Sequence, residues 1–274
     1  MSPLPTALGY RTDLMLLRLG GSVVSARPGY LRIETPQNPT FWWGNFLLLS
    51  SMPTADELEG WLHTFEQEFP GAEHRAFGVD VAQAPALDPG SSGLELGLST
   101  VLTATPAQLR PPPHPHPTAV LRPLHSDEDW SQALEVRLAC NEDRADEEYR
   151  IFAERRVQQA RALSAAGYGQ WYGAFLDGRM VASLGLYSDG SGVARFQVVE
   201  THPEFRGQGL CGSLLAYAAQ VGAEQLKAHT LVLVADPAYH AVRIYRSLGF
   251  QDTEQQVALE RAPAGAQLPA PTPT

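Results

Sequence analysis

Hydrophobic and polar positions in the second half of the chain follow alternating and helical patterns, which predict strands interspersed with helices. The predicted strands are Ala119–Pro123, Gln170–Leu176, Met180–Tyr187, Val193–Thr201, Thr230–Val234 and Phe250–Glu260. The predicted helices are Asp127–Leu138, Asp146–Ala166, Leu210–Leu226 and a helix that Asp236 caps and that ends near Leu248. Asp177 and Gly178 predict a tight hairpin turn. This order of elements predicts a mixed α/β fold.

A weaker pattern of the same kind runs through the first half of the chain. It predicts strands at Leu14–Ser25, Tyr30–Glu34, Phe41–Leu49, Arg75–Val81 and Leu94–Thr103, and an amphipathic helix at Ala55–Phe69. The order of three strands, a helix and two strands parallels the second half from its hairpin onward. We therefore expect a duplicated fold, although the residues themselves show no repeat.

A proline-rich segment separates the two halves. Residues 111–117 contain five prolines, which cannot propagate a helix or a central strand. They predict a stiff, extended linker. The predicted domains are therefore 1–110 and 118–261, followed at 262–274 by a tail whose prolines predict disorder.

Net charge and cysteine content narrow the class of protein. Lys and Arg number 20 and Asp and Glu number 30, giving a charge of −10 that argues against nonspecific binding to nucleic acid or anionic membranes. The sequence has two cysteines and no apolar run near the ~20 residues that a membrane helix needs. His114 and His116 have no acidic or cysteine residue near them, so we predict no metal site. Without a secretion signal we expect a cytoplasmic protein, and the excess of arginine over lysine suggests a bacterial genome rich in GC.

The most informative stretch runs from Thr201 to Gly212, between a predicted strand and a predicted helix. Its glycines allow sharp turns and close approach of a ligand, and the helix start directs unpaired N–H groups and a positive dipole end at one point. Arg206 adds a positive charge. The stretch predicts an anion-binding loop suited to a pyrophosphate. Its glycine spacing fits neither a Walker loop nor the Rossmann fingerprint.

This loop resembles the acetyl-CoA signature of the GNAT superfamily of N-acetyltransferases, R/Q-x-x-G-x-G/A, with Arg206, Gly209 and Cys211 in its defined places. Residues 241–250 are similar to the family's second motif, A-x-x-x-Y-x-x-x-G-F. The resemblance covers about residues 118–260. It implies a GNAT-type acetyltransferase fold in the C-terminal half and a partial GNAT-like fold in the N-terminal half.

The resemblance also implies acetyl-CoA as the co-substrate and roles for several residues. In the family, the backbone of the fourth strand binds the pantetheine arm and the thioester, and the loop amides bind the pyrophosphate. The matching positions are Val199, Glu200, Thr201, Arg206, Gly207, Gln208, Gly209, Leu210, Cys211 and Gly212. Ala238 departs from the pattern, because many members have an asparagine there that contacts the cofactor.

Tyr245 matches the general acid of the family. A phenol with an ordinary pKa of about 10 can protonate a thiolate as it leaves. Ala241, Val242 and Tyr245 share one helical stripe with Ala238, which predicts that Tyr245 faces inward. The alternative is a core tyrosine whose hydroxyl has a structural partner.

Glu200 is our first candidate for the general base. Ala194, Phe196, Val198 and Glu200 would lie on one strand face, so that an acid ends an apolar row. A partly desolvated carboxylate at that place would have a raised pKa and could accept a proton. The alternative is a solvated acid at a strand end. His202 and His240 are weaker rivals.

The first half lacks the loop at the corresponding joint. Residues 50–57 contain no glycine and no arginine, and Asp56 and Glu57 stand at the helix start, where they would repel phosphate. We predict that this half does not bind CoA and resembles the degenerate halves of tandem GNAT proteins. Residues 41–43 are aromatic and predict either an acceptor pocket or internal packing. Residues 140–148 predict either an acidic rim for a cationic amine or simply solvated charge.

The sequence as a whole therefore predicts an acetyl-CoA-dependent N-acetyltransferase that acts on a primary amine of a small molecule or a peptide. The alternatives are a non-catalytic acyl-CoA-binding or regulatory protein of the same fold, and a transferase whose first half recruits a protein partner. The acceptor, the length of the acyl group and the oligomeric state stay open.

Overall fold

The computed structural model describes residues 4–39, 41–84, 87–141 and 147–262. The helices are α1 (Leu8–Leu19), α2 (Leu58–Glu68), α3 (Asp127–Ala139), α4 (Glu147–Ala165), α5 (Leu210–Gln225) and α6 (Ala241–Ser247). The strands are β1 (Val23–Arg27), β2 (Tyr30–Glu34), β3 (Phe46–Leu49), β4 (Arg75–Val79), β5 (Glu95–Ala104), β6 (Val120–Pro123), β7 (Gly169–Leu176), β8 (Arg179–Tyr187), β9 (Val193–Thr201), β10 (Thr230–Ala235) and β11 (Gln251–Arg261).

These residues form two compact units. Unit 1 comprises the described residues up to 101 together with 234–237 and 252–262, and unit 2 comprises those in 102–233 and 238–251. The strand 251–261 continues directly from the second half of the sequence, yet nearly all of it belongs to unit 1. The division into domains 1–110 and 118–261 stays a prediction.

In unit 1 the strands follow the order β1-β2-β3-β4-β11-β5. Strands β3 and β4 are parallel, and β11 pairs antiparallel with β4. One core cluster packs α2 on the sheet through Phe65, which contacts Phe77 edge-on. A second cluster holds α1, whose Tyr10 is fully buried and donates its hydroxyl hydrogen to the carbonyl of Val257.

Two predicted strands of this unit are wrong in part. Leu14–Ser25 was expected to be extended, but its first half is the end of α1, because Tyr10, Leu14 and Leu17 recur at helical spacing and are all buried. Within Phe41–Leu49 only β3 is a strand, since Trp42–Gly44 forms a 3-10 turn.

In unit 2 the strands follow the order β10-β9-β8-β7-β6. Strands β9 and β10 are parallel, and the other neighbouring pairs are antiparallel. Gly222 of α5 lies against the Leu186 side chain, and Tyr187 of the same strand donates its hydroxyl hydrogen to the Ala160 carbonyl of α4. Helices α4 and α5 therefore pack on opposite faces of the sheet.

The predicted duplication of the fold is confirmed at the level of topology. The sequence β1-β2-β3-α2-β4 in unit 1 repeats as β7-β8-β9-α5-β10 in unit 2, each with two antiparallel pairs followed by one parallel pair. The strand and helix predictions for unit 2 also hold, with one exception. The last helix begins at Ala241 rather than after Asp236, because residues 237–240 form turns.

Of the helices in the described part of the chain, none combines the length and the hydrophobicity that crossing a bilayer requires.

Candidate functional site

The glycine-rich loop joins β9 to α5 in unit 2. Gly207 and Gly209 have φ angles of +76° and +79°, a backbone conformation that glycine adopts without steric cost. Gly209 is the N-cap of α5, so the first N–H groups of the helix begin directly after it. Arg206 holds the start of the loop through a hydrogen bond from its Nε to the Thr201 carbonyl, 3.2 Å long.

A pocket of about 280 Å³ opens beside this loop. Its walls come from the end of β9, the loop, the start of α5, the turn before α6, α6 itself and the proline-rich segment. The lining residues are Pro112, Pro113, His114, Val199, Thr201, Phe205, Arg206, Gly207, Gly209, Leu210, Cys211, Gly212, Tyr239, His240, Ala241, Ile244 and Ser247. Most of the predicted cofactor residues therefore meet at one place. Glu200 and Gln208, which the structure also describes, lie outside this lining.

A β-bulge in β9 sets the direction of Glu200. Gln197 pairs with Gly185 and Glu200 pairs with Ser183, so that two residues of β9 stand opposite Leu184 alone. Val198, within this bulge, has a φ of +51°. The extra residue reverses the alternation of side-chain directions along β9. Glu200 therefore lies on the same face of the sheet as Gln197. The predicted apolar row ending in Glu200 is therefore wrong, although the residues of that row are all buried.

Glu200 is enclosed and lies next to an arginine. Its side chain is only 4% exposed, and its Oε1 lies 3.4 Å from Arg137 of α3. Within the described residues its Oε2 has no hydrogen-bond partner. Burial raises the pKa of Glu200 above its usual value, and Arg137 and Asn141 offset part of that rise. The alternative of a solvated acid at a strand end is wrong.

Tyr245 is fully buried on α6, as are Ala241 and Val242, so its predicted inward direction is confirmed. Burial raises the pKa of Tyr245 well above 10, and Cys211 and Tyr239 add to the rise. The expectation of an ordinary phenol pKa is therefore wrong. The hydroxyl stays protonated at any physiological pH, which a proton donor requires.

Sequence reasoning missed several groups at the pocket. Tyr239 lines it, and burial raises the pKa of this half-buried phenol while nearby Arg206 lowers it. Its place just before the second motif was the available signal. Pro112, Pro113 and His114 were interpreted as parts of a linker from composition alone.

The two rival histidines differ in their surroundings. His202 is engaged on both sides of its ring, because its Nδ1 accepts the Glu204 N–H and its Nε2 lies 3.2 Å from Arg179. His240 lines the pocket and packs against Tyr239, with 4.4 Å between their ring centroids.

In unit 1, the segment between β3 and α2 corresponds to the glycine-rich loop of unit 2, and its own side chains hydrogen-bond to the backbone at the helix start. The Glu57 carboxylate accepts the Thr54 N–H at 2.8 Å, completing a capping box at the start of the turn that leads into α2. An acid thus stands where unit 2 offers amides. Among the aromatic residues, Trp42 stacks on His74 and Trp43 donates its indole N–H to Glu260, which favours internal packing.

The proposed acidic rim at 140–148 falls mostly outside the described residues, which omit 142–146. At its start, the Cys140 thiol contacts the Thr201 carbonyl with 3.3 Å between sulfur and oxygen, and burial raises its pKa to about 12. In the part of the chain that the structure describes, no group of three or more His, Cys, Asp or Glu residues could hold a metal ion.

Comparison with known proteins agrees with this arrangement. Residues 129–250 match the model of the Acetyltransferase (GNAT) family. A functionally unknown conserved protein from Staphylococcus epidermidis ATCC 12228 is similar in structure, with a TM-score of 0.72 and 14% identity over 87% of this chain and 93% of that one. A GCN5-related N-acetyltransferase from Kribbella flavida aligns with a TM-score of 0.66 and 18% identity, covering 96% and 98% of the two chains.

A tandem GNAT protein from the clavulanic acid biosynthesis pathway covers 97% of this chain and 99% of its own, with a TM-score of 0.55 and 16% identity. A search of curated protein sequences gave no match. At these identities the structural matches concern the fold. The fold is that of a GNAT-type α/β protein with a tandem arrangement. Residues 129–250, somewhat less than half of the chain, match the GNAT acetyltransferase family, and the whole chain resembles a tandem GNAT protein in fold.

Proposed function

We propose that this protein is an acetyl-CoA-dependent N-acetyltransferase that acts on a primary amine in the bacterial cytoplasm. The observation that carries the proposal is the meeting of an open anion-binding loop, Arg206 to Gly212, with the end of β9 in one pocket. The same strand carries a buried carboxylate, Glu200, and the helix across the pocket carries a buried phenol, Tyr245.

The donor site fits a phosphorylated thioester on the chemistry of its groups. Gly207 leaves open space beside the backbone, and the N–H groups at the start of α5 provide hydrogen-bond donors with the dipole behind them. The ladder between β9 and β10 ends at the pair Arg195–Val232, so residues 196–201 of β9 have backbone groups that this ladder does not use. These groups would hold the pantetheine arm.

Acetyl-CoA supplies an acetyl thioester, whose carbon–sulfur bond breaks as the carbon–nitrogen bond to the amine forms. Glu200 would accept the proton that the amine loses, directly or through water. Its raised pKa makes it a stronger base than an ordinary carboxylate. The positive charge of Arg137 favours the ionised form of the Glu200 carboxyl group. Tyr245 would donate its hydroxyl proton to the sulfur. One proton is gained by Glu200 and one is lost by Tyr245, and exchange with water returns both groups to their starting states.

One observation favours a second function, a non-catalytic acyl-CoA-binding protein. Tyr245 is fully buried and is not among the residues that line the pocket, whereas a proton donor has to reach the sulfur. Such a protein would keep the anion-binding loop and show no turnover.

Thermal unfolding with and without acetyl-CoA tests both functions. Acetyl-CoA at about 100 times its Kd should stabilise the protein by roughly 2.7 kcal/mol, a shift in Tm of a few degrees. Arg206→Glu should lose the shift, while Arg11→Glu, the same reversal at an exposed arginine of α1, should keep it. Release of CoA on addition of amines would then favour the enzyme over the binding protein. No shift in the unaltered protein would overturn both.

A further inference from the structure

The proline-rich segment lies against the anion-binding loop within unit 2. At one end, the Arg110 N–H donates to the Leu248 carbonyl at the C-terminus of α6, with 2.9 Å between nitrogen and oxygen. At the other end, the His116 N–H donates to the Ser213 hydroxyl of α5, also at 2.9 Å. The segment is therefore hydrogen-bonded to both helices that border the pocket.

Between these two hydrogen bonds the segment touches the loop itself. A Cβ built on Gly209 would lie 2.0 Å from the His114 carbonyl oxygen, so any larger residue at position 209 would collide with the backbone of the segment. A Cβ built on Gly212 would meet the Pro112 ring at 3.5 Å. Pro112, Pro113 and His114 line the same pocket as Arg206.

We propose that Pro112–His114 forms one wall of the donor pocket and positions the loop, so that donor affinity depends on this segment. The inference rests on the proposed function, because it takes the loop as the binding site for the phosphorylated part of the donor. Two prolines fix their φ angles and have no N–H group, which gives a wall that needs little ordering when a ligand binds. Segment, loop and α6 together enclose the space that the ligand would fill.

A pair of matched double substitutions tests the wall. Pro112→Gly with Pro113→Gly loosens the part that lines the pocket, and Pro115→Gly with Pro117→Gly makes the same change at exposed prolines of the segment that do not line it. We expect the first variant to bind CoA about ten-fold more weakly by isothermal titration calorimetry, and the second to stay within about two-fold of the unaltered protein. Thermal melts without ligand check that both variants fold.

Ser213→Ala tests the hydrogen bond at the end of the segment independently. The hydroxyl of Ser213 also donates to the Gly209 carbonyl. As the control, Thr64→Ala removes the same kind of bond, which Thr64 of α2 donates to the Gly60 carbonyl at the surface. We expect Ser213→Ala, but not Thr64→Ala, to speed hydrogen exchange of the His116 amide and to weaken CoA binding.

The outcomes separate the inference from the proposed function. If the unaltered protein binds CoA and the Pro112→Gly, Pro113→Gly variant binds it equally well, the role of Pro112–His114 in donor affinity is wrong and the proposed function stands. If that variant binds more tightly, the segment obstructs the site, and the inference is likewise overturned. If the unaltered protein binds no CoA, both fall, because no donor pocket exists.

Discussion

Tyr245, the proposed proton donor, combines full burial with a raised pKa. The rise comes mainly from burial, which disfavours the phenolate. A free thiol has a pKa of about 8.5, so proton transfer from this phenol to a thiolate is uphill. The transfer can therefore proceed only if it is coupled to formation of the amide bond, whose favourable free energy offsets the uphill proton transfer.

Replacing Tyr245 with phenylalanine should lower kcat by about 100-fold, because it removes the proton donor and leaves the ring that fills the core. The Kd for CoA should change by less than about two-fold. Steady-state assays of CoA release and calorimetry give the two quantities. Tyr168→Phe, at an exposed tyrosine, is the control and should leave both unchanged. Full activity in Tyr245→Phe would contradict the assigned role.

Glu200→Gln tests the general base through the pH dependence of kcat/KM. Activity in the unaltered protein should rise with pH as the Glu200 carboxyl loses its proton, and the rise should lie above the ordinary glutamate pKa of about 4.3, because burial raises the pKa of this group. The variant should lose that rise and fall in kcat/KM by about 100-fold. Glu204→Gln, whose side chain is 70% exposed, should retain the profile. An unchanged profile in Glu200→Gln would assign the base to another group.

Helix α3 is fixed at its start by a cluster of hydrogen bonds to Asp129. The carboxylate accepts two bonds from the Arg122 guanidinium and the N–H groups of His125 and Ser126, while the Ser126 hydroxyl caps the helix. These bonds, the Arg122 contact first, hold the pKa of Asp129 far below its usual range. The cluster matters for the site because α3 also contains Arg137, which contacts the Glu200 carboxyl group.

Asp129→Asn should destabilise the protein by about 2 kcal/mol at pH 7, since a buried charged acceptor is lost. Because the folded-state pKa is depressed, this contribution is present above the unfolded pKa of about 3.9 and is lost as the pH falls toward the folded value. Urea unfolding at pH 7 and pH 3 measures the difference, which should shrink at the lower pH. Asp127→Asn, two residues earlier in the same helix and 88% exposed, should cost less than about 0.5 kcal/mol. An equal loss of stability in the two variants would contradict the role of the Asp129 hydrogen bonds in fixing α3.

Elements whose signals lie within a few consecutive residues could be predicted from the sequence. The bounds predicted for β9 agree with the structure, as do the β7–β8 hairpin and the start of α5. Errors arose where the signal was ambiguous. A short apolar run at the start of the chain fits both a strand and a buried helix, and only packing of α1 on the sheet decides between them. Similarly, the bulge in β9 depends on its pairing with β8, which lies on another segment.

Unit 1 is completed by a strand from the far end of the chain. Strand β11 lies between β4 and β5, and its residues Val257 and Leu259 are fully buried in the core of unit 1. Burial of two such side chains contributes about 3–6 kcal/mol, comparable with the whole stability of many domains. We therefore expect the sheet of unit 1 to be lost when the C-terminal strand is removed.

A chain that ends after Phe250 should consequently lose the cooperative unfolding of unit 1. Thermal melts followed by circular dichroism and by fluorescence of the tryptophans at 42, 43 and 61 would report it. A chain that ends after Ala262 keeps all of β11 and should melt as the full chain does. Identical melting of both truncated chains would show that β11 is dispensable.

The sequence by itself determined the elements of unit 2, the glycine-rich loop before α5 and the inward direction of Tyr245, because each depends on residues close together along the chain. Only the tertiary structure decided which face of β9 carries Glu200, where the proline-rich segment lies and which sheet receives β11. The physical reason is that these three features depend on partners far away in sequence. Glu200 is directed by the pairing of β9 with β8, and Gly209 is needed because the backbone of His114 lies beside it. Val257 is buried only when β11 joins the sheet of unit 1.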